Sequence, residues 1–189
     1  MVFLTSQKTN YTKVLTVIQK KRIKTPLFIA SPKGTNIIAL SNMDMSKATF
    51  YYIKKIQKNK SADENSLELK GSKYESGIGT HAPSIMCFKL NGAKSFSANL
   101  GIDDEVWKNG DSSSYGIVDY EIFLDGKSVA KGNINLLQND PARIRLDVSH
   151  AETMKIVFNP GEETYGDHVD LCNAYFVYNG EAPQTVKAE

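Results

Sequence analysis

What is scarce in this chain of 189 residues narrows the field before any motif is sought. Two cysteines, Cys87 and Cys172, are too few for a disulfide framework, and neither has the CxxC or Cys/His spacing of a zinc site. Both sit in apolar runs where a thiol serves as a small hydrophobe, and the sequence leaves a bond between the two runs open. No GxSxG, Ser-His-Asp or Cys-His pattern offers an activated nucleophile. Gly77-Ile78-Gly79 lacks the third glycine and the following helix of a phosphate loop. Apolar runs never reach bilayer-spanning length, so no membrane span is expected. After Met1, only Val2, Phe3 and Leu4 precede the polar Thr5-Ser6-Gln7-Lys8, which is no secretory signal. The expectation is either a piece of a longer exported protein or a chain that works where it is made.

Acids are almost missing from the first third. Residues 1 to 60 hold 12 Lys or Arg against Asp44 alone, a charge of +11, while residues 61 to 189 hold 11 bases and 20 acids, a charge of −9. The net +2 conceals this split. Such asymmetry suits either a polyanion contact or a basic segment lying beside its own acidic neighbour. Lys20-Lys21-Arg22 is a short run with no nucleic-acid motif around it, so nucleic acid is not the expected partner.

What is present reads as β-structure. The chain is 41% hydrophobic and 23% charged, an ordinary globular balance, and its length suits one well-buried unit plus an extension. Residues 13–18, 26–30 and 36–40 are rich in β-branched and aromatic side chains between turn formers. Phe96, Ala98, Leu100 and Ile102 alternate with Ser95, Ser97, Asn99 and Gly101, which predicts a half-buried strand with one wet face. Val118 to Leu124 alternate likewise and run into Asp125-Gly126, a strong hairpin signal. Ile144, Leu146 and Val148 alternate with Arg143, Arg145 and Asp147, Met154 to Phe158 repeat the pattern, and Tyr175 to Tyr178 close it. No helical period lasts three turns. Short strands at turn-marked intervals predict an all-β antiparallel sandwich or jelly roll. The expected divisions are a basic extension over residues 1–37, the sandwich over 38–180 and a flexible tail over 181–189.

One stretch gathers the polar chemistry. Tyr74-Glu75-Ser76-Gly77-Ile78-Gly79-Thr80-His81-Ala82-Pro83-Ser84 carries two glycines, a histidine, a carboxylate and a proline just before the apolar run Ile85 to Leu90. It reads as a bent loop delivering polar groups to the mouth of a strand. With Phe96 to Glu105, Phe123-Leu124-Asp125-Gly126-Lys127 and Asp167-His168-Val169-Asp170-Leu171-Cys172-Asn173-Ala174, this stretch resembles the NPCBM domain family, whose characterised branch is carbohydrate-binding module family 51. Four blocks in one order span Ile38 to Tyr178. The resemblance implies a galactose-binding-domain-like fold and a noncatalytic module that recognises galactose-type sugars. It implies a place appended to a secreted or cell-surface glycoside hydrolase. Phe50-Tyr51-Tyr52 departs from the tryptophan-rich loop that the family carries at this position.

Sugars are held by planar polar side chains that fork onto neighbouring hydroxyls and by an aromatic face laid on the pyranose ring. Glu75, His81, Asp104, Asp167 and Asn173 are the right types for the forks, and Tyr74 and Trp107 for the platform. Trp107 lies among Asp, Asn, Gly and Ser, with few apolar neighbours to bury it. No cofactor is required for such binding. Calcium, which takes six to eight oxygens, has candidate ligands in Asp63 and Asp103, and the modules this chain resembles commonly hold a structural calcium. Paired carboxylates can hydrolyse glycosides, but spacing here singles out no catalytic pair, and the chain is not read as an enzyme. The alternative to the sugar reading is an interaction module whose basic N-terminal third binds an acidic partner or polyanion.

Overall fold

The computed structural model describes residues 34–50, 55–108, 116–135, 140–162 and 164–188. The strands expected at 13–18 and 26–30, nearly all of the proposed extension, Tyr51-Tyr52 and the loop residues 109–114 lie outside them.

Two antiparallel sheets form the sandwich. Sheet A runs β11 (Ala142–Asp147), β8 (Ser95–Ile102), β13 (His168–Tyr178), β6 (Gly77–His81), β3 (Gln57–Lys58), with β1 (Asn36–Ala39) on the far end of β13. Sheet B runs β10 (Lys127–Asn135), β9 (Ile117–Leu124), β12 (Thr153–Pro160), β7 (Ser84–Lys89), β14 (Gln184–Val186), with β2 (Thr49–Phe50) on β7. A small hairpin, β4 (Glu68–Leu69) and β5 (Ser72–Lys73), a 3-10 turn at Leu40–Asn42 and the one-turn helix α1 (Glu105–Lys108) complete the described elements. None of the described helices is long and apolar enough to cross a membrane.

The alternating residues do what their period demands. Phe96, Ala98, Leu100, Ile122, Met154, Ile156, Phe158, Val169, Leu171 and Phe176 all enter one buried core between the sheets. At the β9–β10 turn Asp125 and Gly126 take φ of 47° and 77°, the twist-matched pair a two-residue hairpin needs. Cys87 and Cys172 are both free thiols, one half-buried and one buried, so the open question of a bond between them is answered in the negative.

Three expectations fail, each for a physical reason. The Gly-rich stretch is not a loop, because Gly77–His81 is a fully buried strand, β6, paired to β13 and β3. Its glycines serve close approach rather than unusual φ, since a Cβ at Gly79 would stand 2.6 Å from Ser61 Cα, and one at Gly77 would stand 2.6 Å from Leu171 O. The second face of β8 is not wet along its length. Leu67, Leu69 and Cys172 form a second apolar cluster with Tyr74 packed against it, and Leu69 lies over Gly101, on the face of sheet A that points away from the core. The tail is no free end either: Gln184–Val186 pairs with Lys89 to Cys87, with Thr185 buried and its hydroxyl on Met45 Sδ.

The outer face of sheet A thus has two halves. Over His168, Asp170 and Cys172 it is roofed by residues 59–76 and 103–108. Past a β-bulge at Asn173 (φ 47°) it opens onto a shallow depression of about 480 Å³ along β8 and β11.

Candidate functional site

β6 ends at His81 and β13 begins at His168, directly opposite, while Val169 pairs with Ile102 at the end of β8. The segments leaving these ends, residues 82–83, 103–108 and 164–167, therefore share one rim of the sandwich. Antiparallel register alone brings most of the candidate polar residues here.

Beneath that rim the polar groups bond to one another. Glu105 accepts hydrogen bonds from the Ser61 hydroxyl, Asn65 Nδ2 (3.0 Å), the Asp63 amide (3.2 Å) and His168 Nδ1 (2.7 Å). Burial pushes its carboxyl up, but the donors from His168, Ser61 and Asn65 outweigh this and hold it below the ordinary value. The His81 ring, 4% exposed, bonds through Nδ1 to the Ala82 carbonyl and meets the His168 ring edge-on at 5.2 Å. Asp103 accepts the Glu68 and Glu105 amides at 2.9 and 2.7 Å, and burial raises its carboxyl. Asp170 lies between Gly79 and Gly101 on the flanking strands, and burial with the adjacent Asp103 carboxyl pushes it well above the ordinary value. Asp167 accepts the Ile117 amide at 3.1 Å and is pushed up by burial to about 7.

The candidate sugar residues are split by this arrangement. His81, Asp104, Trp107 and Asp167 gather near the rim, whereas Tyr74, Glu75 and Asn173 sit halfway along the sheet, where the Asn173 amide donates to Ser76 O. Asp104 spends both oxygens on the Lys70 and Gly71 amides of the β4–β5 turn, at 2.9 and 2.6 Å. Tyr74 is half-buried against Leu67, Leu69 and Cys172, and Glu75 is exposed. Trp107 is 57% exposed on α1. Tyr165, not singled out from the sequence, is 60% exposed on the neighbouring rim segment. Like Trp107, Tyr165 lies among sequence neighbours, Thr164, Gly166 and Asp167, that offer no apolar cover.

For a metal ion the two predicted ligands separate. Asp63 lies with Glu105 and His168, their ligand atoms within 4.8 Å of one another, but Asp103 is turned to backbone amides and is not of this group. The donor set does not fit calcium, since one of the three groups is an imidazole and the Glu105 oxygens already accept four protein donors.

A family model described as the NPCBM/NEW2 domain matches residues 36–177. No curated protein matches the chain. Among solved structures, a family 51 carbohydrate-binding module of Clostridium perfringens GH95, in complex with methyl-galactose, is similar with 26% identity and a TM-score of 0.65, covering 75% of this chain and 99% of the module. Two further likenesses concern the fold. The M60 catalytic domain of Clostridium perfringens ZmpB with its two CBM51 domains matches at 22% identity and TM-score 0.67, over 77% of this chain and 15% of that one. The tandem CBM51 modules of the Streptococcus pneumoniae family 98 glycoside hydrolase match at 24% and 0.64, over 78% and 49%.

Proposed function

The chain belongs to the NPCBM/NEW2 domain family, and from that membership we propose that it is a noncatalytic carbohydrate-binding module for terminal galactose-type sugars. The observation that carries the reading is the 26% identical module, matched over 99% of its own length, that holds methyl-galactose.

The rim supplies the chemistry. Trp107 and Tyr165 offer aromatic faces to the apolar side of a pyranose. The acids and histidines beneath them act as framework: they fix α1 and the 164–167 segment in place, which lowers the ordering cost of binding. An exposed site of this kind buries few ligand atoms, so single-site affinity is expected on the order of 0.1–1 mM. Its use is proximity, holding a linked catalytic domain at its substrate outside the cell.

A glycan array probed with the full chain at low and high salt tests this. Salt-resistant signal on galactose-terminated glycans, lost in Trp107→Ala, is expected. Signal on anionic glycans alone, vanishing in high salt and indifferent to Trp107, would replace the reading with a polyanion contact through the basic first third.

A further inference from the structure

The open half of sheet A's outer face takes no part in the rim site. Its depression is lined by Lys94, Ser95, Ser97, Arg145, Asp147 and Ser149, among others. Arg143 and Arg145, the two arginines among the described residues, stand two apart on edge strand β11 and so share this face, opposite Asn99 and Ser97 of β8. Arg145 and Lys94 line the depression against Asp147, and Arg143 adds a third cation beside it, two residues further along the same face. This is a local reversal of sign, because residues 61–189 carry −9 overall.

We propose that this depression is a second subsite, for an acidic sugar residue bearing a carboxylate or a sulfate. The guanidinium of Arg145 is pinned, its Nη1 donating to Ala98 O at 3.1 Å and Ile144 O at 2.6 Å. A planar fork held in one place loses little entropy when it takes an oxyanion, which is the arrangement that selects carboxylate or sulfate over neutral hydroxyls. Ser95 and Ser149, both partly exposed, provide hydroxyls along the lining, and the buried Ser97 lies beneath them. Asp147 accepts the Ser149 amide at 2.9 Å and presents a carboxylate to sugar hydroxyls. Tyr175, half-buried, stands directly across from Ser97 on β13, next to a lining residue of the depression. The proposal rests on the carbohydrate reading for its choice of a sugar, and on none of the rim residues.

The test uses the full chain and three soluble probes: an oligogalacturonate, a sulfated galactan oligosaccharide and methyl-galactose, each titrated calorimetrically. At least one acidic probe is expected to bind, and which one does identifies the source of the anion. Arg143→Ala with Arg145→Ala is expected to weaken it roughly tenfold or more, two charge-assisted contacts being lost. Arg145→Lys keeps the charge but not the fork, and a several-fold loss is expected from it. Asp147→Asn retains an acceptor for the Ser149 amide and is expected to tighten the acidic probe about two- to threefold. Should the arginine double variant unfold, the last two substitutions decide. Trp107→Ala is expected to leave the acidic probe untouched, so a chain that binds it but ignores methyl-galactose would sink the rim site alone. The proposal is overturned if neither acidic probe binds, if the arginine substitutions leave binding unchanged, or if Lys20→Ala, Lys21→Ala and Arg22→Ala together abolish it.

Discussion

One strand, β13, crosses two different surfaces: up to Cys172 its outward side chains lie under a roof, and beyond the bulge at Asn173 Tyr175 and Val177 stand across from Ser97 and Ser95, which line an open depression. The difference originates in glycine. Gly77, Gly79 and Gly101 leave the outer face of the sheet bare, so Leu67, Leu69 and the 60–61 backbone can settle directly on it. On the other half Ser95, Ser97, Arg143 and Arg145 occupy the equivalent positions, and no segment among the described residues roofs them as 59–76 roofs the first half, although Ser97 itself is buried between its neighbours. The lesson concerns chemistry as much as packing. The residues that look most like a catalytic set are under the roof: Asp103, Glu105 and His168 bond to one another or to backbone amides, and Asp170 is buried beside them with neither oxygen hydrogen-bonded, so the proposed ligand surfaces are the rim and the open half.

Substitutions can break that contrast. Gly79→Ala is expected to cost most, roughly 3 kcal/mol or more, because its methyl meets backbone that cannot swing aside. Leu69→Ala should cost about 2–3 kcal/mol by opening a cavity over Gly101. Glu105→Gln, which turns an acceptor of four hydrogen bonds into a partial donor, is expected to cost about 2 kcal/mol. Chemical denaturation measures all three. On the open half Ser95→Ala should stay within about 0.5 kcal/mol of the parent. A large cost there, or none at Gly79, would erase the distinction between the halves.

A pH series sharpens it further. Asp167 is raised in the folded state to about 7, so the folded chain binds that proton more tightly than the unfolded chain does. Its contribution favours folding in the ordinary carboxylate range and is lost as pH rises toward 7. Asp170, also raised, acts in the same direction, whereas the lowered Glu105 favours folding above the ordinary carboxylate range and loses that contribution as pH falls. Melting temperatures of the parent and Asp167→Asn at pH 5 and pH 8 isolate the first effect. The parent should lose more stability than the variant on going to pH 8.

Much of the sandwich was legible because alternation states which face is apolar. β9, β11 and β12 follow their sequence period, and Asp125-Gly126 turns where its chemistry requires. The roof was not legible. Residues 57–66 have no apolar period, and nothing local shows that they fold back over a sheet, so β8 read as wet on one face. β6 read as a loop because glycine marks turns and close backbone approach alike, and only the neighbours decide which. The last strand is three polar-flanked residues whose pairing is set by the free edge of β7. At the rim, the exposure of Trp107 was readable from its polar surroundings. The turn-capping part of Asp104 was not, since a carboxylate that caps a turn and one that binds a sugar have the same sequence signature, and nothing local showed that Asn173 would sit at a bulge halfway along the sheet.

The most direct test follows backbone amide resonances of the full chain while methyl-galactose is added. Shifts concentrated in residues 103–108 and 161–168, with the Trp107 indole among the largest, are the predicted result. Shifts confined to 95–97 and 143–147, or none at millimolar sugar, would contradict the placement of the galactose site at the rim.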